Sequence, residues 1–413
     1  MSSYRVAIAA TVTTVATAAA LVALRRRVLA ARRRRIRLAL HFDVNETIMV
    51  GDPAGGDTFD DSLNKILAKS AFVRPAPGMP EDTPLLERWL WHDGSPLDPA
   101  KRTSSSPKPP LLPEHTFDAP DGCTAFYKVK ALKKAHAKGF TDAASPGAIY
   151  SDELERMRET LAWPAGAPVE PRLCEDGHQL LIPAFFHTLC ELARSGRPYS
   201  LVVRTFGTDM PRVSAALEAF SEGKHPLFPD APDVRLKPSR SWLGRFDAKG
   251  HFELRADGRS AVTDEQQALV LMLNDDDAVA AGQACVAGVM DDYDWWKGHG
   301  YAPSSGKPLW LTLDVAGVTS RQLFFDDNIH NDPEDSIVAI RARATAGAPF
   351  VPLSGAMTCA MHGTVLRRCP TIQPILDVSW FLKEIEASGA ALEAMRASPQ
   401  WEQLRAEVEQ GPG

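Results

Sequence analysis

Short apolar runs in this chain stop on side chains able to do chemistry: residues 36–42 before Asp43, 199–204 before Thr205, and 323–325 before Asp326 and Asp327. Runs of this length, rich in β-branched and aromatic residues and bounded by turn residues, read as strands. The first alternates apolar side chains with Arg37 and His41, as a strand does. Helical patterns separate the runs, as in the strand, helix, strand units from which α/β folds are built. In open α/β sheets ligands bind in the crevice outside the carboxyl ends of the strands. An acid at such an end, as Asp43 is, faces a ligand more often than a core.

The octapeptide His41-Phe42-Asp43-Val44-Asn45-Glu46-Thr47-Ile48 resembles the first motif of the haloacid dehalogenase (HAD) superfamily, D-x-D-x-T followed by an apolar residue. The resemblance implies that Asp43 attacks a phosphoryl group, that the backbone carbonyl of Asn45 helps to bind magnesium, and that Thr47 belongs to the substrate site. Asn45 stands where the family has its second, proton-handling Asp. Thr205 matches the second motif, a hydroxyl donating to a phosphoryl oxygen, with Thr208 as an adjacent alternative. The third motif is a Lys paired with the nucleophile and the phosphoryl charge; Lys307 fits it better than Lys297. Asp326 and Asp327 match the fourth motif. Adjacent carboxylates at a partly buried site call for a cation, and hard oxygen ligands suit Mg²⁺. The implied metal set is Asp43, Asn45, Asp326 and Asp327. The implied fold is a Rossmann-like three-layer α/β sandwich with a mainly parallel sheet and inserted cap segments.

Asn45 bears directly on mechanism. General acid and base groups contribute typically ~10²- to 10⁴-fold, and an amide cannot shuttle a proton. The expectation is a phosphoester hydrolase or phosphotransferase that works through an aspartyl phosphate and is slow, selective for good leaving groups, or supplied with a base by Glu46 or an acid from elsewhere. The alternative is a catalytically inactive relative serving as a membrane-tethered binding or scaffold protein.

The ends of the chain carry a separate signal. No acid precedes Asp43, yet arginines stand at positions 5, 25–27, 32–35 and 37. Between them an uncharged run begins at Val6 and ends at Leu24, long enough as a helix at ~1.5 Å per residue to span a ~30 Å hydrocarbon layer. Residues 1–35 are therefore expected to form a single-pass anchor with the rest of the chain facing the cytosol. A mitochondrial or plastid transit segment is the alternative. Six cysteines without C-x-x-C spacing read as free thiols. A net charge of −6 argues against general nucleic-acid binding, and the HAD resemblance implies a small phosphorylated substrate as the partner.

The expected HAD-like domain covers residues 36–390. Within it, residues 51–58 form a Gly-rich flap rather than a phosphate loop, because Asp57 occupies the Lys position. Residues 74–120 are Pro-rich and read as a linker or irregular excursion, and residues 225–300 as a possible cap. Within the cap, Asp275–Asp277 and residues 291–294 read as solvated acids. Residues 391–413 are assigned to a C-terminal helix.

Overall fold

The computed structural model describes residues 36–51, 56–103, 105–113, 119–256, 260–314, 320–330 and 332–411. Its centre is a seven-stranded sheet. The strands are β1 (Arg37–Asp43), β2 (Tyr199–Thr205), β3 (Ser241–Phe246), β4 (Phe252–Arg255), β5 (Cys285–Met290), β7 (Ser320–Asp326) and β10 (Leu366–Arg368), in the order β10-β7-β1-β2-β5-β3-β4. All neighbours run parallel except the hairpin of β3 and β4. A second sheet of β6 (Lys307–Thr312), β8 (Val338–Arg343) and β9 (Val351–Pro352) has β6 parallel to β8 and β9 antiparallel. The protein is thus mixed α/β with a mainly parallel central sheet.

β1 and β2 are buried along almost their whole length, which is why they read as apolar runs rather than strict alternations. Phe42, on one face of β1, stacks on Phe325 of β7 at 4.9 Å. It also meets Phe185 and Phe381 edge-on at 5.2 and 5.1 Å. Those two rings come from helices α1 (Pro183–Arg194) and α2 (Trp380–Arg396), which cover that face. On the opposite face Ala39 and Val202 pack with Leu269 and Met272 of the helix Glu265–Leu273, and with Trp310 of β6. Register completes the arrangement. Phe42 pairs with Phe325 and Asp43 with Arg204, so the carboxyl ends of β7, β1 and β2 reach one edge together.

Several expectations change here. The 225–300 segment supplies β3, β4 and β5 to the central sheet, and it does so because residues 285–290 form a buried apolar strand. The 74–120 stretch is not a linker. Trp91 is fully buried beside Phe126 at 6.3 Å and Tyr150 at 5.6 Å, and Tyr150 donates to the carbonyl of Pro109 at 2.9 Å. Its prolines shape turns, while its aromatic residues join the main core. The C-terminal boundary at residue 391 falls inside α2, whose Phe381 packs on β1.

The membrane assignment is corrected as well. Among the described residues no helix is long and apolar enough to cross a membrane, and the run from Val6 to Leu24 lies outside the described residues. The single-pass, cytosol-facing placement is therefore withdrawn. Residues 52–55 of the Gly-rich flap also lie outside the described residues. Thr58 forms a capping box with Asp61 at the start of the helix Phe59–Ser70. Asp57 pairs with Lys65 and Lys138.

Candidate functional site

β1 ends on Asp43, and the chain turns sharply. The amides of Ile48 and Met49 both donate to the Val44 carbonyl, at 3.0 and 2.9 Å, and Glu46 takes a left-handed φ of 56°. β7 ends on Asp326, followed by Asp327. The side-chain oxygens of Asp43, Asp326 and Asp327 lie within 4.8 Å of one another, and all three residues are buried. Carboxylates 280 or more positions apart in the chain therefore converge at the edge of the sheet.

Lys307, the first residue of β6, sits between two of them. Its Nζ donates to Asp43 Oδ1 at 2.5 Å and to Asp326 Oδ2 at 2.8 Å, and lies 4.7 Å from the centre of the Phe206 ring. On the far side of the cluster Lys69 bonds Glu46 and approaches Asp327 Oδ2 at 3.4 Å. Asn328 closes the acid pair from below: its amide N–H donates to Asp326 and its side chain to Asp327.

Burial, first, holds the Asp43 carboxyl well above the usual range; Lys307 opposes this, and Asp326 and Asp327 reinforce it. Burial likewise pushes Asp327 up to about 7, against the pull of Lys69 and with Glu46 and Asp326 adding to the rise. For Lys307 burial disfavours the ammonium, but Asp326 and Asp43 outweigh it and the group rises. The sign for stability is definite. Carboxyls with folded values above the ~3.9 of an open chain contribute stability that is complete below about pH 4 and lost as the pH climbs through the folded values. The cluster on its own therefore strains the fold at neutral pH.

A cavity of about 560 Å³ opens over this edge, lined by Asp43, Asn45, Thr205, Asp209, Arg212 and Lys307 together with Phe206 and Tyr293. Thr205 faces it, with its Oγ1 accepting from the Gly207 amide at 2.8 Å. Thr208 lines it too. Thr47 does not. It is fully buried behind Asp43, accepts from the Asp327 amide at 3.1 Å and so ties the two acidic loops together. Lys297 lies on the helix Tyr293–Gly298, outside the carboxylate cluster.

A buried network underlies the site. Arg204, with no solvent exposure, donates to both oxygens of Asp291, at 2.9 and 2.5 Å, and to the carbonyl of Pro308 at 2.9 Å. It also donates to His41 Nδ1 at 3.2 Å, so Nε2 carries the imidazole proton and gives it to Gln322 at 3.0 Å. Burial and then Arg204 hold His41 well below its ordinary value, which keeps the ring neutral. By gripping Pro308, Arg204 anchors the start of β6 and with it Lys307. Asp291 is thus a buried partner rather than a solvated acid.

No protein-family model matches this chain, and no curated protein or solved structure matches it either.

Proposed function

We propose that the protein is a magnesium-dependent hydrolase of small phosphate esters, or a related phosphotransferase, with a Rossmann-like HAD core. The single observation that carries this reading is the meeting of Asp43, Asp326 and Asp327 within 4.8 Å at a strand edge, with Lys307 bonded to two of them. The donor set fits the metal. The three side-chain ligands offer hard carboxylate oxygens, and their crowding, seen in the raised values of Asp43 and Asp327, is what a divalent cation relieves. Asp43, Asp326 and Asp327 would hold it, with the Asn45 carbonyl as the further ligand that the family resemblance implies. Magnesium bound there would keep the carboxylates ionised and offset charge on the phosphoryl oxygens.

Asp43 then attacks phosphorus through a carboxylate oxygen, the bond to the leaving oxygen breaks, and an aspartyl phosphate forms. Lys307 and Thr205 donate to the equatorial oxygens, whose charge is greatest in the transition state. Water releases phosphate and restores Asp43. The cavity, at about 560 Å³, suits a small phosphorylated molecule and has apolar walls in Phe206 and Tyr293 for its organic part. A panel of phosphate monoesters, assayed for phosphate release with Mg²⁺ and with EDTA, tests the reading. Release from at least one ester with Mg²⁺ and none with EDTA is expected; release that survives EDTA contradicts it.

Metal and proton compete for the same oxygens, which gives a measurement independent of turnover. Without metal the melting temperature is expected to fall as the pH rises from 5.5 to 8, because Asp43 and Asp327 must ionise in place. With Mg²⁺ fixed at about 100 times its dissociation constant at pH 8, the fold gains roughly 2.7 kcal/mol there, and proton competition weakens binding at the lower pH. That gain is expected to be large at pH 8 and small at pH 5.5. Thermal melts at both pH values, with Mg²⁺ and with EDTA, check this.

A further inference from the structure

Resting on the hydrolase reading, we infer that Asp209 is the general acid and base of this site, held in place by Asn45. Asn45 Nδ2 donates to Asp209 Oδ2 at 3.0 Å, and both residues line the cavity that holds Asp43, Thr205 and Lys307. The carboxylate missing from the third position of the first motif is thus replaced by one reaching in from another strand end.

The ordinary explanation for this Asp fails. Asp209 occupies the N-cap of the helix Met210–Ser221, where an Asp side chain normally accepts from the first-turn amides, yet its side chain makes no capping bond. It turns back toward Asn45. Gly207 permits that turn: a Cβ added there would lie 2.6 Å from Asp209 Oδ2 and 3.6 Å from Asn45 Nδ2. Its φ does not demand glycine, so the approach of the carboxylate is what a side chain at 207 would obstruct. Glu46, the acid nearest Asn45 in sequence, is committed elsewhere. It pairs with Lys69, its carbonyl accepts from Thr371, and it does not line the cavity.

Asn45 suits a partner that changes protonation state. An amide offers both a donor and an acceptor, so Nδ2 serves the ionised carboxylate, while Oδ1, buried and without a bond from the described residues, serves the protonated acid once the amide turns over. A second Asp at position 45 would instead repel Asp209. The proton cycle closes. As Asp43 forms its bond to phosphorus and the ester bond breaks, protonated Asp209 gives its proton to the leaving alkoxide and an alcohol departs. In the second half a water oxygen bonds to phosphorus, its proton passes to Asp209, and the Asp43–phosphorus bond breaks to release phosphate. Asp209 is then protonated for the next turn.

The test compares an alkyl phosphate, whose leaving group needs a proton, with 4-nitrophenyl phosphate, whose leaving group does not. Asp209→Asn is expected to lower alkyl phosphate turnover by roughly 10²- to 10⁴-fold, while the first burst of nitrophenolate is nearly preserved. Gly207→Ala, which displaces the carboxylate without deleting it, should reproduce the loss and add little to Asp209→Asn. Asn45→Asp in the Asp209→Asn background should restore part of the alkyl rate. An unchanged alkyl rate in Asp209→Asn, with Asp43→Asn inactive, overturns this assignment and leaves the hydrolase reading standing. A nitrophenolate burst slowed as much as the alkyl rate also overturns it, since that marks a structural role. No phosphate release by the wild-type protein from either substrate overturns both.

Discussion

Asp43→Asn is expected to abolish phosphate release, with a loss of roughly 10⁴-fold or more, the scale at which removing a covalent nucleophile acts. The fold should survive. Asp43 is 7% exposed and its carboxyl is held well above the usual range by burial first, with Asp326 and Asp327 adding to it. The wild-type charge is therefore a burden on the native state, and a neutral side chain of the same shape relieves it. The variant should melt at or above the wild-type temperature at pH 8 without metal. Loss of activity with undiminished stability separates chemistry from folding; a variant that both unfolds and loses activity would leave Asp43 as a structural residue.

Lys307→Met should act in the opposite way, chiefly on stability. Lys307 is 1% exposed and is bonded to both Asp43 and Asp326. Removing one partner of a buried ion pair leaves uncompensated charge and typically costs ~3–5 kcal/mol. The cost follows pH in a definite direction. Without the ammonium the folded value of Asp43, which Lys307 now holds down, rises further, so stability is retained under acid conditions and lost as the pH increases. Denaturant unfolding at pH 5 and pH 8 should show the difference between variant and wild type growing with pH and shrinking when Mg²⁺ is added. A variant equally stable at pH 8 would mean that Lys307 does not balance the acids.

The carboxylate edge was legible because a strand has direction. Asp43, Thr205 and Asp326 each follow a run apolar enough to be buried, and parallel pairing then brings such ends to one edge. Local chemistry also shows at helix starts: Thr58 and Asp61 form a capping box, and Pro183 and Pro399 stand at first helical positions, where a fixed φ fits. What escaped depended on contacts across the fold. Asp209 lies in an ordinary turn cluster after Thr205, and nothing local distinguishes a carboxylate that caps its helix from one that turns to Asn45. Lys69 sits at the end of the helix Phe59–Ser70, and only tertiary packing brings it to Asp327.

Other misses had a visible sign. Residues 285–290 form an apolar run closing on Asp291, the same pattern that marks Asp326, and Arg204 is a charge inside a buried strand that needs such a partner. In the 74–120 segment the prolines that signal irregular chain surround Trp91, whose full burial is set by distant partners. Thr47 shows a different limit. Its position in the motif was plain, but its role, joining the Asp43 loop to Asp327 rather than facing the cavity, depended on how two distant loops meet.

The most direct test of the account is to look for the covalent intermediate. The protein, mixed with 4-nitrophenyl phosphate and Mg²⁺ and quenched in acid within the first turnover, should yield a peptide carrying one phosphoryl group on Asp43 by mass spectrometry. The Asp209→Asn variant, short of a base for the water step, should accumulate more of it. Consumption of the ester with no modification at Asp43, or with phosphate on another residue, would contradict the central claim.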